Sequence, residues 1–386
     1  FQIESRAQMS MLPRLKPACF YDLVVEVALV RPGPIQGGMV HPYLQRREDP
    51  SLVLYPPGLK PALQRTLGVP IFQEQVMQIV VLAAGFTPGE ADELRRSMAA
   101  WRRKGGVHRF RDKVLQGMVA NGYEAAFAEQ IFQQIQGFGE YGFPESHAAS
   151  FAKLVYVSAW IKCHEPAAFL AGLLNAQPLG FYSPSQLIQD ARRHGVEVRP
   201  PDVLHSDWDC LLEPQAPSTQ PAVRLGLRLV QGLSRDAVDR IALARQSCPL
   251  NSVDDLVRVA RLDQRDVRAL ASADALGSLA GHRRQQMWEA LAAHRPAALL
   301  REAPVHEAAL RLPAASEGEE VSHDYAALGL TLRSHPVALL RPLLAPYRVM
   351  SAEALRQRRD GQLARACGIV TVRLKGACHG CPMSQM

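Results

Sequence analysis

The feature that most constrains this chain is the spacing of its apolar residues, which over the first 200 positions recur at three- and four-residue intervals with few alternating runs. Val76, Ile79, Val80 and Ala83 fall at i, i+3, i+4 and i+7, and Val107, Phe110, Val114 and Met118 at i, i+3, i+7 and i+11, also one helical face. Stripes of this kind specify amphipathic helices that each bury one face, so the expected fold class is mainly α. A long helix is expected from His147 to about His164, with Ser146 as N-cap after Pro144 and a stop before Pro166. The most apolar stretches, Val76 to Ala84 and Ala148 to Ile161, are interrupted by Gln78 and Lys153. They fall short of the ~18 residues a membrane span needs, so no membrane partner is expected.

At 386 residues the chain is long enough for two or three domains, each with its own core. The 27 Gly and 28 Pro stay below the level that signals disorder, and they punctuate the chain instead. Pro200-Pro201 and the proline-rich Glu213 to Pro221 read as a boundary, with a second unit of short helices from near Ala222 to about His294. Arg295 to Val321, rich in Ala, Pro and Glu, reads as a linker, and Gly368 to Arg373 is β-like. The chain starts at Phe1 inside what reads as an element, which suggests a fragment. Seven cysteines with no signal peptide fit a reducing, cytoplasmic setting.

A net charge of +7 and a pI near 9.1 favour an acidic partner. Basic residues concentrate between Arg95 and Lys113: Arg95, Arg96, Arg102, Arg103, Lys104, Arg109, Arg111 and Lys113 face only Asp112 in that stretch. On a helix, Arg95 aligns with Arg102 and Arg96 with Arg103, two stripes able to meet a polyphosphate or a phosphodiester backbone; a solvated basic face is the alternative. Gly105-Gly106 supplies a joint beside them. Arg31 precedes Pro32-Gly33-Pro34, which presents a guanidinium on a stiff turn, and Phe138 to Phe143 combines glycines with three aromatics ahead of Ser146-His147.

In the second unit, Leu229 to Ser234 before the helical Arg235 to Arg245 resembles the hairpin of a helix-hairpin-helix module, which aims backbone N–H groups at a DNA phosphate. Ser234 stands where a second Gly is usual. Leu270 to Leu276 reads as a degenerate second hairpin, with Asp274 in place of Gly. Asp207-Trp208-Asp209 has the spacing of a metal-binding pair but sits in a loop with a bulky Trp between the acids, and Cys378-His379-Gly380-Cys381 lacks a second pair at zinc spacing.

Taken in order, Phe1 to Arg6, Arg31 to Pro34, Gln73 to Met77, Leu94 to Arg96, Tyr141 to Phe143 with Ser146-His147, and Pro200 to Val203 resemble the bacterial DNA polymerase III alpha-subunit family, the C-family polymerases. Met39 to Tyr43, Ser206 to Cys210, Leu328 to Leu330 and His335-Pro336 resemble its damage-induced, error-prone branch more than its replicative one. The resemblance implies polymerase fingers over 1–215, a helix-hairpin-helix region over 222–298, a linker and lead-in segment over 299–345, and the truncated start of an OB-fold domain with an aberrant tail over 346–386. It implies DNA-directed nucleotidyl transfer in translesion synthesis and repair, with no catalytic residue in this chain. The metal-binding palm aspartates lie upstream in the family, so the Mg²⁺ ions belong to a part this chain lacks and the chain alone is expected to be inactive.

By the same resemblance, Arg95 and Arg96, with Arg31 and Lys104 nearby, would hold the incoming triphosphate. Tyr141, Phe143 and His147 would line the nascent base pair or support the fingers, and Gly232, Ser234, Arg102 and Arg103 would meet the DNA backbone. Expected partners are primer-template DNA, deoxynucleoside triphosphates and other mutagenesis proteins that link to the sliding clamp. The competing reading is a noncatalytic DNA-binding fragment or decayed gene product.

Overall fold

A computed structural model describes residues 3–31, 34–35, 38–99, 108–140, 144–180, 182–215, 220–293 and 310–368. It separates into two compact units, Phe1–Trp160 and Ile161–Met386.

The first unit is helical throughout its described residues. Its helices are α1 (Arg6–Leu15), α2 (Phe20–Leu29), α3 (Val40–Glu48), the single turn α4 (Lys60–Leu63), α5 (Gln73–Ala84), α6 (Pro88–Ala99), α7 (Arg111–Ala120), α8 (Ala125–Glu140) and α9 (Glu145–His164). The stripe Val76, Ile79, Val80 and Ala83 is buried on α5, as its spacing requires. Phe110, Val114 and Met118 are buried too, although a 3₁₀ turn at His108–Phe110 precedes α7 and Val107 lies outside the described residues. Where α7 meets the end of α5, Gly117 lies against the backbone of Ala84, so that a Cβ there would overlap the Ala84 carbonyl. Backbone cannot step aside as a side chain can. Gly117→Ala is therefore expected to lower unfolding free energy by about 1–3 kcal/mol, despite alanine's better helix propensity, as read from the midpoint of urea denaturation.

Polar anchors join these helices. The Arg47 guanidinium of α3 donates to the terminal carbonyls of Leu15 (2.5 Å) and Lys16 (3.0 Å) and pairs with Asp22 of α2 at 2.6 Å. Burial alone would raise the Asp22 carboxyl. Arg47 and the N–H groups of Ala18 and Cys19 outweigh it and hold the pKa at about 2. Four positions along α2 the opposite situation holds: Glu26 is 0% exposed, and neither of its oxygens has a hydrogen-bond partner.

Helix α9 starts at Glu145, earlier than expected, and Ser146 lies inside it. The reason is a distant cap. The Glu74 carboxylate of α5 accepts the Glu145 N–H at 3.0 Å, doing for the orphan amide what Ser146 was expected to do. The helix ends at His164 ahead of Pro166, as expected.

The second unit begins with α10 (Pro166–Asn175) and α11 (Pro184–Arg193), which pack on a sheet of β1 (Val198–Arg199), β2 (Leu211–Glu213) and β3 (Ala222–Arg224). Strand β3 is central, parallel to β1 and antiparallel to β2, with Leu212 opposite Val223. The proline-rich stretch from Glu213 to Pro221 thus links two paired strands. Strands of two or three residues leave no alternating signal in a sequence, which is why they were not expected. Next come α12 (Arg235–Ser247), α13 (Val253–Ala260), α14 (Gln264–Ser272), the turn α15 (Gly277–Ala280) and α16 (Arg283–Ala292). Ser234, Ser252, Asp263 and His282 each cap the following helix by accepting a backbone N–H. Beyond residue 309 lie α17 (Glu317–Leu328), α18 (Pro336–Leu344) and α19 (Ala352–Arg356). The mainly α class holds, and no helix among the described residues is long and apolar enough to cross a membrane. The β-like run after Gly368, like Cys378 and Cys381, lies outside the described residues.

Candidate nucleic-acid interface

The arginines of the first unit sit on α6. Thr87 and Glu90 form a capping box that starts it: Thr87 N–H donates to the Glu90 carboxylate at 2.9 Å and Glu90 N–H to the Thr87 hydroxyl at 3.3 Å. Ala91, Leu94 and Ser97 are buried, which fixes the rotation of the helix and leaves Arg95 and Arg96 on its outer side. The Arg95 side chain is 42% exposed and that of Arg96 75%. Both close on one carboxylate: Arg95 donates to Asp92 Oδ1 at 2.8 Å, and Arg96 lies 2.7 Å from Asp92 Oδ2. The arginines hold the Asp92 carboxyl below its usual range.

The sequence window that began at Arg95 therefore missed the balancing charges. Glu93 pairs with Arg109 at 2.7 Å, Glu129 with Arg111 at 2.8 Å, and Glu90 with Lys113. These are solvent-exposed pairs, screened by water and salt, so the arginines can trade them for another anion at little cost. Arg102, Arg103 and Lys104 lie outside the described residues, as do Tyr141 and Phe143. Arg31, just beyond the end of α2, turns back so that its Nε donates to the Val27 carbonyl at 3.2 Å, a helix C-terminal contact. His147 is exposed on the first turn of α9, its ring 4.7 Å from that of Phe151.

Sequence reasoning missed the cluster that fixes this turn. The Tyr21 hydroxyl donates to Glu145 at 2.8 Å, Arg65 pairs with Glu145 at 2.8 Å, and the Arg65 guanidinium lies 4.3 Å from the centre of the Tyr21 ring. Burial and then the Glu145 carboxylate push the Tyr21 hydroxyl well above its ordinary range. With Glu74 capping the same helix, three residues from distant parts of the sequence meet at Glu145 and hold the segment that carries His147. Their separation of up to 124 positions leaves no local signature.

In the second unit the first hairpin runs from Val230 to Ser234. Leu233 is buried beneath it, and its N–H reaches the Val230 carbonyl at 3.4 Å. Gly232 has φ +82°, the left-handed conformation this turn demands, and a Cβ there would meet open space. Ser234 accepts the Ala237 N–H at 3.2 Å and opens α12. The amides of Gly232 and Ser234 make no hydrogen bond within the described residues, and both residues are exposed. Unbonded N–H groups just before a 13-residue helix are donors of the kind that can take an anion without reading a base.

The second hairpin, Leu270 to Leu276, also carries a residue with positive φ, but the amides of its turn are bonded within the protein. Asp274 adopts φ +60° where glycine is usual. The N–H groups of Ala273, Asp274 and Ala275 bond to carbonyls of α14, that of Leu276 to the Gln286 side chain, and that of Ser278 to Asp202. Asp274 itself accepts from Gln286 and from Arg333, each at 2.6 Å. A cavity of about 330 Å³ adjoins it, where Asp202, Asp274 and Glu320 outnumber Arg283 and Arg333. Asp274, Glu320 and the two arginines are paired with one another.

The Asp-x-Asp spacing, already unpromising in the sequence, is divided between two arginines: Asp207 meets Arg245 at 2.5 Å and Asp209 meets Arg228 at 2.7 Å. Gly226 holds the intervening Trp208 close, since a Cβ at 226 would overlap the Trp208 carbonyl. These residues do not fit a shared Mg²⁺, and no group of three His, Cys, Asp or Glu able to hold a metal occurs among the described residues.

Residues 1–122 match the family model of the bacterial DNA polymerase III alpha subunit finger domain, and residues 195–286 match that of the helix-hairpin-helix motif. Over 375 residues the chain is 61% identical to a protein of Bordetella bronchiseptica named error-prone DNA polymerase. Proteins of the same name from Burkholderia pseudomallei and Alkalilimnicola ehrlichii are each 59% identical over 384 and 381 residues. These alignments take in 97% or 98% of the chain, which spans only 36% or 37% of the length of those relatives.

Proposed function

We propose, for a chain that belongs to the bacterial DNA polymerase III alpha-subunit family, that it supplies the incoming-nucleotide and DNA-backbone contacts of an error-prone DNA-directed DNA polymerase. The observation that carries this reading is the finger-domain match, with Arg95 and Arg96 on the unburied side of the helix it covers and paired to Asp92. In nucleotidyl transfer, charge on the triphosphate must be neutralised as pyrophosphate leaves, and guanidinium groups do so without a proton of their own to lose. Arg95 and Arg96 take that role, with Arg31 and Lys104 as the weaker candidates for it. His147, with Tyr141 and Phe143, lines the nascent base pair or supports the shape of the fingers. Gly232 and Ser234 give backbone N–H groups to a phosphate of the duplex, and Arg102 and Arg103 add to the backbone contact. Mg²⁺ supplies Lewis acidity to the reaction when bound, and its ligands lie in other parts of the whole polymerase. Translesion synthesis and clamp-linked accessory partners belong to the same reading.

The open first hairpin also supports a narrower reading, a DNA-binding lobe without polymerisation. Primer extension separates the two. A whole polymerase carrying this segment is expected to extend a primed template past an abasic site, and to lose extension when residues 1–160 are replaced by an unrelated helical domain. Extension that survives the replacement leaves only the DNA-binding reading.

A further inference from the structure

The two hairpins of the second unit differ in what their amides do, and one segment touches both. Helix α17 is fastened by charge to α16 and, through Arg333, to the closed hairpin. Arg283, 3% exposed, lies 2.8 Å from the Glu320 carboxylate, donates to the Glu320 carbonyl at 2.9 Å and pairs with Asp324. Arg333, after the helix, joins Asp274 at 2.6 Å to Glu320 at 3.3 Å and Asp324 at 3.4 Å. The Thr331 hydroxyl donates to Asp324 at 2.6 Å. Buried ion pairs of this kind add little net stability, but breaking one side leaves an uncompensated charge, so they fix one geometry. Near its other end the same helix reaches the open hairpin: the Ala327 carbonyl accepts the Gln231 N–H at 2.9 Å, and Ala327 packs into the core that also holds Leu233.

We propose that residues 316–333 brace the DNA-backbone site, with the closed second hairpin as the anchor that fixes how the open first hairpin presents its free amides. The inference rests on the reading that the first hairpin takes a phosphate. Asp324, Arg283 and Arg333 are then positioning residues for a duplex they need not touch. The closed hairpin serves as anchor, its turn amides being bonded within the protein. Its Asp274 occupies the glycine position, and the carboxylate is what Arg333 grips.

The test uses the 386-residue chain, a fluorescent 30-base-pair duplex and a salt series. Asp324→Asn removes a negative charge, so charge alone would tighten binding. The brace instead requires a roughly 3- to 10-fold weaker Kd and a log Kd against log salt slope shallower by about one phosphate contact. It also requires faster hydrogen exchange at the Gln231 amide, 93 positions away in sequence and beyond any contact Asp324 makes. Should Asp324→Asn fail to fold by circular dichroism, Thr331→Val removes only the hydroxyl that supports Asp324 and is expected to act in the same direction. Unchanged or tighter binding, or unchanged exchange at Gln231 in a folded variant, overturns the brace. Gly232→Asp tests the underlying reading separately, because Asp274 shows that the left-handed position accepts aspartate. It should weaken binding at least 10-fold. If it does not, the phosphate reading of the hairpin fails, and the exchange at Gln231 still decides whether α17 is coupled to it.

Discussion

In a whole polymerase carrying this segment, Arg96→Ala and Arg95→Ala are each expected to raise the apparent KM for the incoming nucleotide by about 10- to 100-fold, the loss of one charge-assisted phosphate contact of about 1.5–3 kcal/mol. Steady-state single-nucleotide insertion at varied nucleotide concentration reads this directly. The two substitutions are not independent, since both guanidiniums pair with Asp92. Removing one frees Asp92 to hold the other more tightly, so the double variant should lose less than the product of the singles. Asp92→Asn supplies the opposite arm: it takes away the carboxylate that competes with the triphosphate and is expected to lower KM a few-fold. Arg96→Lys keeps the charge without the planar fork and should recover part of the loss. A KM unmoved in both alanine variants removes α6 from the nucleotide site.

The second large effect concerns Glu26. Burial pushes its carboxyl up to about 7, with no charged or hydrogen-bonding group opposing the shift. The folded state therefore keeps a proton that the unfolded chain gives up near pH 4.5. Below pH 4.5 both states are protonated and Glu26 makes no difference. Between about 4.5 and 7 the unfolded state is increasingly favoured by ionisation, and above 7 the penalty levels off at about 3 kcal/mol. Denaturant unfolding of the chain should show stability declining with rising pH across that window, on top of the contributions of other groups. In Glu26→Leu, which fills a similar volume without a charge, that part of the decline should vanish and stability at pH 8 should rise by about 2–3 kcal/mol. Parallel pH profiles for the two proteins would show that the carboxyl ionises in the folded state at its ordinary pKa. Asp22, on the same helix, behaves in the reverse sense. Its folded pKa of about 2 gives stability that is present above its unfolded pKa near 4 and lost as pH falls toward 2.

The contrast between these two carboxyls on α2 shows what could be read from the sequence. Both occur in one apolar run, Phe20 to Leu29, and nothing in the residues around them separates the one that meets Arg47 from the one that meets nothing. The partner is 25 positions away for Asp22 and absent for Glu26 among the described residues. The same distinction runs through the candidate site. Arg95 and Arg96 were legible because a charge cluster at helical spacing is a local signal, and Gly232 because a positive φ before a helix start selects glycine. Asp92 escaped notice as their shared partner since it fell just outside the basic window. The Tyr21, Arg65, Glu74 and Glu145 cluster had no local signal at all.

The sequence by itself determined the mainly α class, the buried stripe of α5, the stop of α9 before Pro166, and the unequal glycine content of the two hairpins, because each follows from spacing or from the backbone preference of one residue type. Only the tertiary structure decided where α9 begins, which carboxylates neutralise the arginines of α6, and that the second hairpin is closed by Gln286, Asp202 and Arg333. Those outcomes depend on side chains brought together by packing. A hydrogen bond or an ion pair requires its partners within about 3 Å in space, and chain order places no such limit on their separation.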